Sequence, residues 1–316
     1  MLLAKYAPSG PLTSITFGNG RTQTRAYDQN YAIDAISGTP AGALTLDFEV
    51  DVMGNIVEAS DSLSPTTPDR VYTYDPMYRL TKAETGATPP VPLEAYTYNP
   101  TGDRLSASLN GNPADAYTYV PNTHRLASVG AAARTYDDNG NTLTGLPSGY
   151  ALSYDDRNRL RQATKPPTNT ATYRYNGKGE RMVKAVSNGL FATVTAFAYD
   201  EGGRLIGEYD DAGNVLAEYV YLDDIPIAVI RDPTPYYVEA DHLGTPRQAV
   251  DPATNAVLWR WDLLEATFGT SSPHEDPDGN STAFVLNLRF PGQHHDAETG
   301  LNYNYFRDYE PATGRY

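Results

Sequence analysis

Two short stretches of the chain combine histidine with carboxylate side chains that could bind a metal or accept a proton. Asp241 precedes His242, and the pair His294 and His295 precedes Asp296. Neutral imidazoles and carboxylates are common metal ligands and proton acceptors. Adjacent residues on a strand point to opposite faces, so this spacing does not gather the groups on one side. We favour structural hydrogen-bonding roles over a metal or general-base site, and we predict no metal and no cofactor.

A third stretch, residues 276–280, reads Asp-Pro-Asp-Gly-Asn and resembles the first half of a calcium-binding loop. It lacks the glutamate that such a loop places at its twelfth position, so a polar surface turn is favoured. The chain has no cysteine, and it contains no Gly-x-Ser-x-Gly elbow, phosphate-binding loop or nucleotide fingerprint. We therefore predict that this chain is not an enzyme.

Three arginines, Arg247, Arg307 and Arg315, lie beside turns in the C-terminal part of the chain. A guanidinium fork can bind several backbone carbonyls or a carboxylate, so we expect these side chains to fix the C-terminal segment in place. On this basis Arg315→Ala should lower the thermal midpoint more than Arg25→Ala.

A sequence repeat predicts the secondary-structure elements that must position these residues. The phrase Tyr-Asp, followed three to five residues later by Arg-Leu or Asn-x-Leu, recurs along the chain. We call the first residue of each copy its anchor, and the anchors are Tyr27, Val50, Tyr74, Tyr98, Tyr119, Tyr136, Tyr154, Tyr175, Tyr199 and Tyr209. A period of roughly 20 residues is typical of an array whose units bury apolar surface against their neighbours.

One copy, residues 70–83, alternates apolar and polar residues on either side of a polar centre, which predicts a β-hairpin. The aspartate can accept backbone hydrogen bonds as an Asx-turn, and a later Gly or Asn can adopt positive φ. The anchor ends the first strand, where we expect its ring to stack on the equivalent ring of the next copy. A row of tyrosines could instead bind sugars, but recurrence in every copy favours packing.

The composition favours strands over helices. Of 316 residues, 40% are hydrophobic and 20% are charged, and 25 tyrosines outnumber 8 phenylalanines. We predict an all-β fold, a spiralling array of hairpins capped by a C-terminal module. The formal charge of -15 disfavours nucleic acid and acidic membrane surfaces as partners. Neither an ordinary secretory signal nor a membrane-spanning segment is indicated.

The pattern changes after residue 220, so we divide the chain into a hairpin array, 1–220, and a capping module, 221–316. The module contains, in order, Asp-His-Leu-Gly-Thr-Pro-Arg, Arg-Phe-Pro-Gly-Gln, Glu-Thr-Gly-Leu-x-Tyr-Asn and Pro-x-x-Gly-Arg-Tyr. The candidate structural site residues within or beside these phrases are Asp241, His242, Gly244, Pro246, Arg247, Arg289, Pro291, Gly292, Gln293, Gly300, Arg307, Gly314 and Arg315.

These phrases, in this order and preceded by Tyr-Asp copies, resemble the core and repeats of the Rhs or YD-repeat family over nearly the whole chain. The resemblance implies repeats that spiral into a hollow β-shell, which the core closes at one end in bacterial polymorphic toxins. In those proteins a variable toxin domain follows the core, is cut from it by aspartyl-type self-cleavage and stays enclosed until delivery. The resemblance therefore implies a container or scaffold.

The same resemblance implies a bacterial protein that is secreted or associated with the cell surface, without an ordinary signal peptide. Its implied partners are a C-terminal toxin domain, an immunity protein encoded nearby and further repeats upstream.

The chain departs from the family pattern at both ends. Residues 8–15 read like an internal repeat, and Tyr316 precedes the place of the family's Asp-Pro-x-Gly-Leu cleavage segment. Glu310 stands where many relatives have aspartate. We expect a shell segment without its cleavage site and toxin. The alternatives are a carbohydrate-binding surface adhesin, a degenerate remnant, and a self-cleaving shell that needs the downstream segment.

Overall fold

The computed structural model describes residues 3–8, 10–61, 70–231, 233–262 and 266–316. Ser9, within the stretch read as an internal repeat, lies outside the described residues. The first of two compact units comprises Met1–Ala116, Tyr236–Thr267 and Ser271–Leu286, and the second comprises Tyr117–Pro235, Phe268–Thr270 and Asn287–Tyr316. Each unit combines repeats with later residues, and the division at residue 220 stays a prediction.

The strands are, in chain order, β1 (Leu3–Tyr6), β2 (Leu12–Thr16), β3 (Thr22–Tyr27), β4 (Ile33–Thr39), β5 (Leu46–Val50), β6 (Ile56–Asp61), β7 (Arg70–Tyr74), β8 (Leu80–Thr85), β9 (Pro92–Tyr98), β10 (Arg104–Leu109), β11 (Asp115–Tyr119), β12 (Leu126–Val129), β13 (Ala132–Ala133), β14 (Thr135–Tyr136) and β15 (Thr142–Thr144). They continue as β16 (Ala151–Tyr154), β17 (Leu160–Lys165), β18 (Asn169–Tyr175), β19 (Arg181–Ser187), β20 (Ala192–Tyr199), β21 (Leu205–Tyr209), β22 (Val215–Leu222), β23 (Ile225–Arg231), β24 (Thr234–Ala240), β25 (Pro246–Val250), β26 (Val257–Arg260), β27 (His294–Asp296), β28 (Leu301–Asn304) and β29 (Arg307–Tyr309).

Strands that follow one another in sequence are antiparallel neighbours. In the first unit β1 to β10 run in this order, and β25 pairs with both β24 and β26. In the second unit β16 to β23 also pair in sequence order, and β28 pairs with β27 and β29. The described residues contain no helix that is long and apolar enough to cross a membrane. The predicted all-β array of hairpins is confirmed.

The turn after most anchors is held by the aspartate that follows the anchor, and asparagine takes its place at Asn99 and Asn176. The Asp75 carboxylate accepts the N–H groups of Met77 and Arg79 at 2.9 and 3.0 Å. Tyr78, which donates its own N–H to the Asp75 carbonyl, has a φ of +61°. The predicted Asx-turn is confirmed, although in this copy a tyrosine rather than Gly or Asn has the positive φ. Residues 241–245 form the same turn with Gly244 at positive φ.

A β-bulge lies beside the anchor in the same copies. Tyr74 pairs with Leu80 while Thr73 pairs with Lys82, so Thr81 has no partner across the ladder. The same shift occurs beside Tyr27, Val50, Tyr154, Tyr175, Tyr199 and Tyr209. A bulge bends its strand and increases the local twist, here at the same point of successive hairpins.

Several anchor tyrosines are bound by the preceding hairpin. The Tyr98 hydroxyl donates to the Leu80 carbonyl at 2.8 Å, and the Arg79 guanidinium lies 4.8 Å from the centre of the Tyr98 ring. Tyr175 has the equivalent contacts with Leu160 and Arg159. The expected stacking of successive anchor rings is therefore replaced in these copies, because the arginine of the Arg-Leu phrase covers the ring.

Small apolar clusters fill the space over the strands. Ile36, Leu44 and Leu46 form one in the first unit, each at most 1% exposed. In the second unit a cluster that includes Leu152 and Leu160 also contains Leu301, so residues far apart in sequence share one core.

Candidate functional site

A row of side chains on the hairpins stands two positions before the anchors. Residues two apart on a strand point to the same face. We call this set the contact row and residues 236–316 the tail, because most of the row contacts the tail. The contact row consists of Arg25, Phe48, Tyr72, Tyr96, Tyr117, Arg134, Leu152, Tyr173 and Phe197.

In the first unit the row meets the turn that contains the Asp-His pair. Arg25 Nη2 donates to the Asp241 carbonyl at 2.9 Å, and the Phe48 ring packs edge-on against His242 with centres 4.7 Å apart. The Asp241 carboxylate accepts two N–H groups within its own turn. Burial lowers the pKa of His242, so the neutral ring is favoured. Arg25 is itself buried, so Arg25→Ala is not a neutral control for the effect of Arg315→Ala on the thermal midpoint.

Arg21 and Glu239 form a buried ion pair in the same unit. Their Nε and Oε1 atoms are 2.7 Å apart, and both side chains are 2% exposed. Glu239 Oε2 accepts the Leu44 N–H at 2.8 Å and a further hydrogen bond from the Gln248 amide. Loss of one partner would leave the other charge buried without compensation, so this pair fixes β24 on the early repeats.

Arg247, one of the predicted site residues, forms a second buried ion pair. Its Nη2 atom lies 2.5 Å from Asp61 Oδ2, and its Nε donates to the Trp261 carbonyl at 2.7 Å. The guanidinium therefore binds a carboxylate from the repeats and a carbonyl from the tail, which is the fork geometry that arginine favours.

The second unit contains a denser group of charges. Arg181 Nη1 lies 2.5 Å from Asp296 Oδ2, and Lys184 Nζ lies 2.9 Å from Oδ1 of the same carboxylate. Burial would raise the pKa of Asp296, but the adjacent Arg181 and Lys184 hold it well below its usual range. Lys184 also contacts Glu298 at 3.4 Å. Two carboxylates of the tail are thus neutralised by two cations of β19.

A glutamate from the repeats extends this group. Glu208 Oε1 lies 3.1 Å from His294 Nε2, and the Tyr219 hydroxyl donates to the same carboxylate. Burial acts to raise the pKa of Glu208, but His294 and Tyr219 lower it to about 2. The other imidazole nitrogen, Nδ1, is 3.1 Å from Arg181 Nη2.

Aromatic side chains enclose the Arg181 guanidinium. It lies 4.3 Å from the Tyr303 ring centre and 5.3 Å from that of Tyr173. The Tyr303 hydroxyl accepts the Arg181 N–H at 2.9 Å, and the Tyr173 hydroxyl donates to Glu298 at 3.0 Å. Such rings attract a cation while excluding water, which strengthens the buried contacts.

The last residues are held by two further arginines. Arg134, a member of the contact row, contacts Glu310 at 2.6 Å. Arg315 donates to the Tyr119 hydroxyl at 3.1 Å and to the His124 carbonyl at 2.9 Å. Glu310 thus has a cationic partner on the repeats.

The remaining predicted site residues of the second unit mostly shape turns or the final strand. Gln293 donates to the Tyr316 hydroxyl at 3.2 Å, and the exposed Arg307 lies 4.2 Å from the Tyr316 ring centre. Arg289 donates to the Leu288 carbonyl, and Pro291 precedes Gly292 in an exposed turn. The predicted site glycines, Gly244, Gly292, Gly300 and Gly314, all have positive φ, and Pro246 begins β25 in the first unit.

The structure therefore separates the predicted residues. Asp241, His242, Gly244, Pro246 and Arg247 belong to the first unit, and the set from Arg289 to Arg315 belongs to the second. Their common role in fixing the tail stays a prediction.

The metal-like sequences are occupied by protein contacts. His295 Nδ1 lies 2.9 Å from Asn302 Oδ1, and burial together with the Arg289 charge lowers the pKa of His295 to about 4. The Asp276 carboxylate accepts the N–H groups of Asn280 and Ser281 at 3.0 and 3.1 Å. Among the described residues no three His, Asp or Glu side chains form a group that could hold a metal ion.

The sequence reasoning missed the contact row and its buried acidic partners. A signal existed for the row, because an aromatic or arginine recurs two positions before the anchor, as in Tyr96-Thr97-Tyr98. No comparable signal marked Asp61, Glu208 or Glu239, whose partners lie far away in sequence. In each unit the carboxylates of Asp61, Glu239, Glu208, Asp296 and Glu310 are bound by cations or by donor groups, and these contacts can hold that unit's part of the tail in register on its repeats.

Comparison with known proteins shows the family of the chain. A family model described as Teneurin YD-shell matches residues 6–316. The double-stranded DNA deaminase toxin A of Burkholderia cenocepacia (strain H111) is 27% identical over 342 aligned positions, which cover 93% of this chain and 22% of that protein. Toxin protein Tse5 of Pseudomonas aeruginosa is 36% identical over 80 residues, or 25% of this chain and 5% of the relative.

A solved structure shows the same fold. The crystal structure of TcdB2-TccC3-TEV superposes with a TM-score of 0.78 at 18% identity and covers 99% of this chain and 18% of its own. The chain thus spans only about a fifth of the length of this protein and of the deaminase toxin.

Proposed function

The chain belongs to the teneurin YD-shell family, and from this premise we propose that it is a section of the shell that encloses and presents the toxin domain of a secreted bacterial toxin. The observation that carries the proposal is the family match, which extends over the repeats and the tail alike. Relatives whose names identify them as toxins support it.

We extend the proposal to the rest of the system. The toxin domain and an immunity protein are encoded beside this chain, and further repeats precede it. The shell acts outside the producing cell or at its surface. This section contributes no catalytic step of its own, since its buried carboxylates serve as anchors for the tail.

Carbohydrate binding by the tyrosine row gains no support from the geometry. The hydroxyls of Tyr98 and Tyr175 donate hydrogen bonds to backbone carbonyls, and an arginine covers each ring. A stacking sugar needs the face that the guanidinium occupies.

The first test of the proposal is the DNA around the gene. We expect upstream sequence that continues the Tyr-Asp copies, and downstream sequence that encodes a cleavage segment, a toxin domain and a small immunity gene. An isolated reading frame between unrelated genes would contradict the proposal and would favour a degenerate remnant.

The second test uses the full-length gene product with its downstream domain. Limited proteolysis should leave that domain intact in the native protein and degrade it after the shell is unfolded. Arg181→Met, which removes a buried anchor, should expose the domain to protease sooner than Arg174→Met at an exposed position of β18. Equal cleavage of the domain in the native and unfolded protein would reject enclosure.

A further inference from the structure

The three-stranded sheet of the tail carries a row of polar side chains on one face. His294 pairs with Tyr303 across β27 and β28, and Tyr303 pairs with Asp308 across β28 and β29. Directly opposed residues in antiparallel strands point to the same face. The Tyr303 hydroxyl accepts the backbone N–H of Arg181, so this face is seated on the strands around β19.

Among the residues that the structure describes, Asp308 forms no ion pair, in contrast to Asp296. Its Oδ1 atom is buried and has no hydrogen-bond partner among the described residues. Asp296, two strands away, is bound by both Arg181 and Lys184. An ionised carboxylate that is buried without a hydrogen bond or a counter-charge is costly, and a protonated one is much less so.

Titratable and charged groups surround Asp308 on five elements. They are Tyr303 on β28, Asp296 on β27, Arg181 on β19, Tyr175 on β18 and Tyr154 on β16. Arg181, which favours an ionised Asp308, is already paired with Asp296 at 2.5 Å. The tyrosines are neutral at physiological pH, so ionisation of Asp308 would add a second negative charge beside Asp296 with one shared cation.

We propose that Asp308 is a proton-controlled latch for the β27–β29 sheet of the tail. When Asp308 is protonated, the sheet seats fully on strands β16–β20. When Asp308 is ionised, its unpaired charge beside Asp296 loosens the sheet.

The direction of the pH dependence follows from the burial of this carboxyl. Burial, with the charge of Asp296 adding to it, raises the pKa of Asp308 to about 7. An exposed aspartate titrates near about 4. The stabilising contribution is therefore complete below about pH 4, is lost as the pH rises through about 7, and changes no further above that value.

Hydrogen exchange of the full chain, followed by mass spectrometry at about pH 5 and about pH 7.5, tests the latch. After correction for intrinsic exchange rates, protection of residues 294–309 should fall by on the order of tenfold per pH unit up to about pH 7. Residues 22–50 of the first unit serve as the reference in the same sample. Unchanged protection of residues 294–309 in the wild-type chain would overturn the proposal without any variant.

Two variants identify the group responsible. Asp308→Asn, which mimics the protonated acid, should keep the protection at both pH values. Asp224→Asn removes an equal charge from a side chain that is 97% exposed and should behave as wild type. If Asp308→Asn retains the wild-type pH dependence, another group is responsible and the proposal fails.

Discussion

At the scale of single residues, the chain is organised by buried charges that meet across long sequence separations. Arg181, whose side chain is 1% exposed, contacts Asp296, whose side chain is fully buried. Taking two charges out of water is costly, so such a pair contributes little net stability but makes the loss of either partner severe. These pairs fix the position of the tail on the repeats and add little to the total stability.

Replacing Arg181 tests this view. Arg181→Met should lower the free energy of unfolding by about 3–5 kcal/mol, because it leaves a buried carboxylate with fewer partners. Arg174→Met, at an exposed position of the neighbouring strand, should change it by less than about 0.5 kcal/mol. Urea titration followed by far-ultraviolet circular dichroism measures both, and equal midpoints would contradict the assignment.

Acid should destabilise the second unit through two of its carboxylates. Glu208, with a pKa lowered to about 2, and Asp296, whose pKa is also lowered, are ionised in the folded chain. Their contribution is present above about pH 4 and is lost as the pH falls through the lowered values. Urea midpoints should therefore fall between about pH 5 and about pH 3. Glu208→Gln should weaken this pH dependence of the urea midpoint, whereas Glu201→Gln, at an exposed position, should leave it unchanged.

At the scale of elements, most hairpins are closed by an aspartate, and in copies such as that of Tyr98 an arginine and a tyrosine bind one hairpin to the next. The turn, the bulge and a hydrogen bond like that between Tyr98 and Leu80 recur in several copies. The array therefore repeats the same local structure. Stability in such arrays is approximately the sum of unit and neighbour contributions.

Removal of one hydroxyl tests the contact between hairpins. Tyr98→Phe leaves the Leu80 carbonyl without its donor and should cost about 1 kcal/mol. Tyr78→Phe, in an exposed turn, removes the same atom from the same residue type and should leave the urea midpoint unchanged. A similar loss in both variants would mean that the hydroxyl of Tyr98 has no special role.

At the scale of the whole molecule, each compact unit joins repeats to a part of the tail. The first unit does so through Arg21 with Glu239 and Arg247 with Asp61. The second unit uses Arg181, Lys184 and Arg134 with carboxylates that follow residue 290. Each unit therefore contains a part of the tail that is bound to the repeats by buried ion pairs.

Net charge leads to a prediction about partners. With a formal charge of -15, the chain should not bind a polyanion at neutral pH. A fluorescent DNA duplex titrated with the chain at low salt should show no change in anisotropy, while a basic protein of similar mass serves as the positive control. Saturable binding that weakens with salt would reveal a localised basic surface and refute this expectation.

The sequence by itself determined the hairpins. Tyr-Asp, the turn glycines and the Arg-Leu phrase act over a few residues, so their spacing is sufficient to predict the turns, the all-β class and the family. Asp75 and its turn are examples, because every partner lies within four residues.

Only the tertiary structure decided which charges meet. Asp61 and Arg247 are separated by 186 positions, and nothing in the local pattern of either residue names the other. The same holds for the Oδ1 atom of Asp308, which has no hydrogen-bond partner among the described residues and whose position depends on strand register rather than on sequence spacing. Local hydrogen bonds are encoded by neighbours in the chain, whereas buried ion pairs depend on how the tail is laid across the repeats.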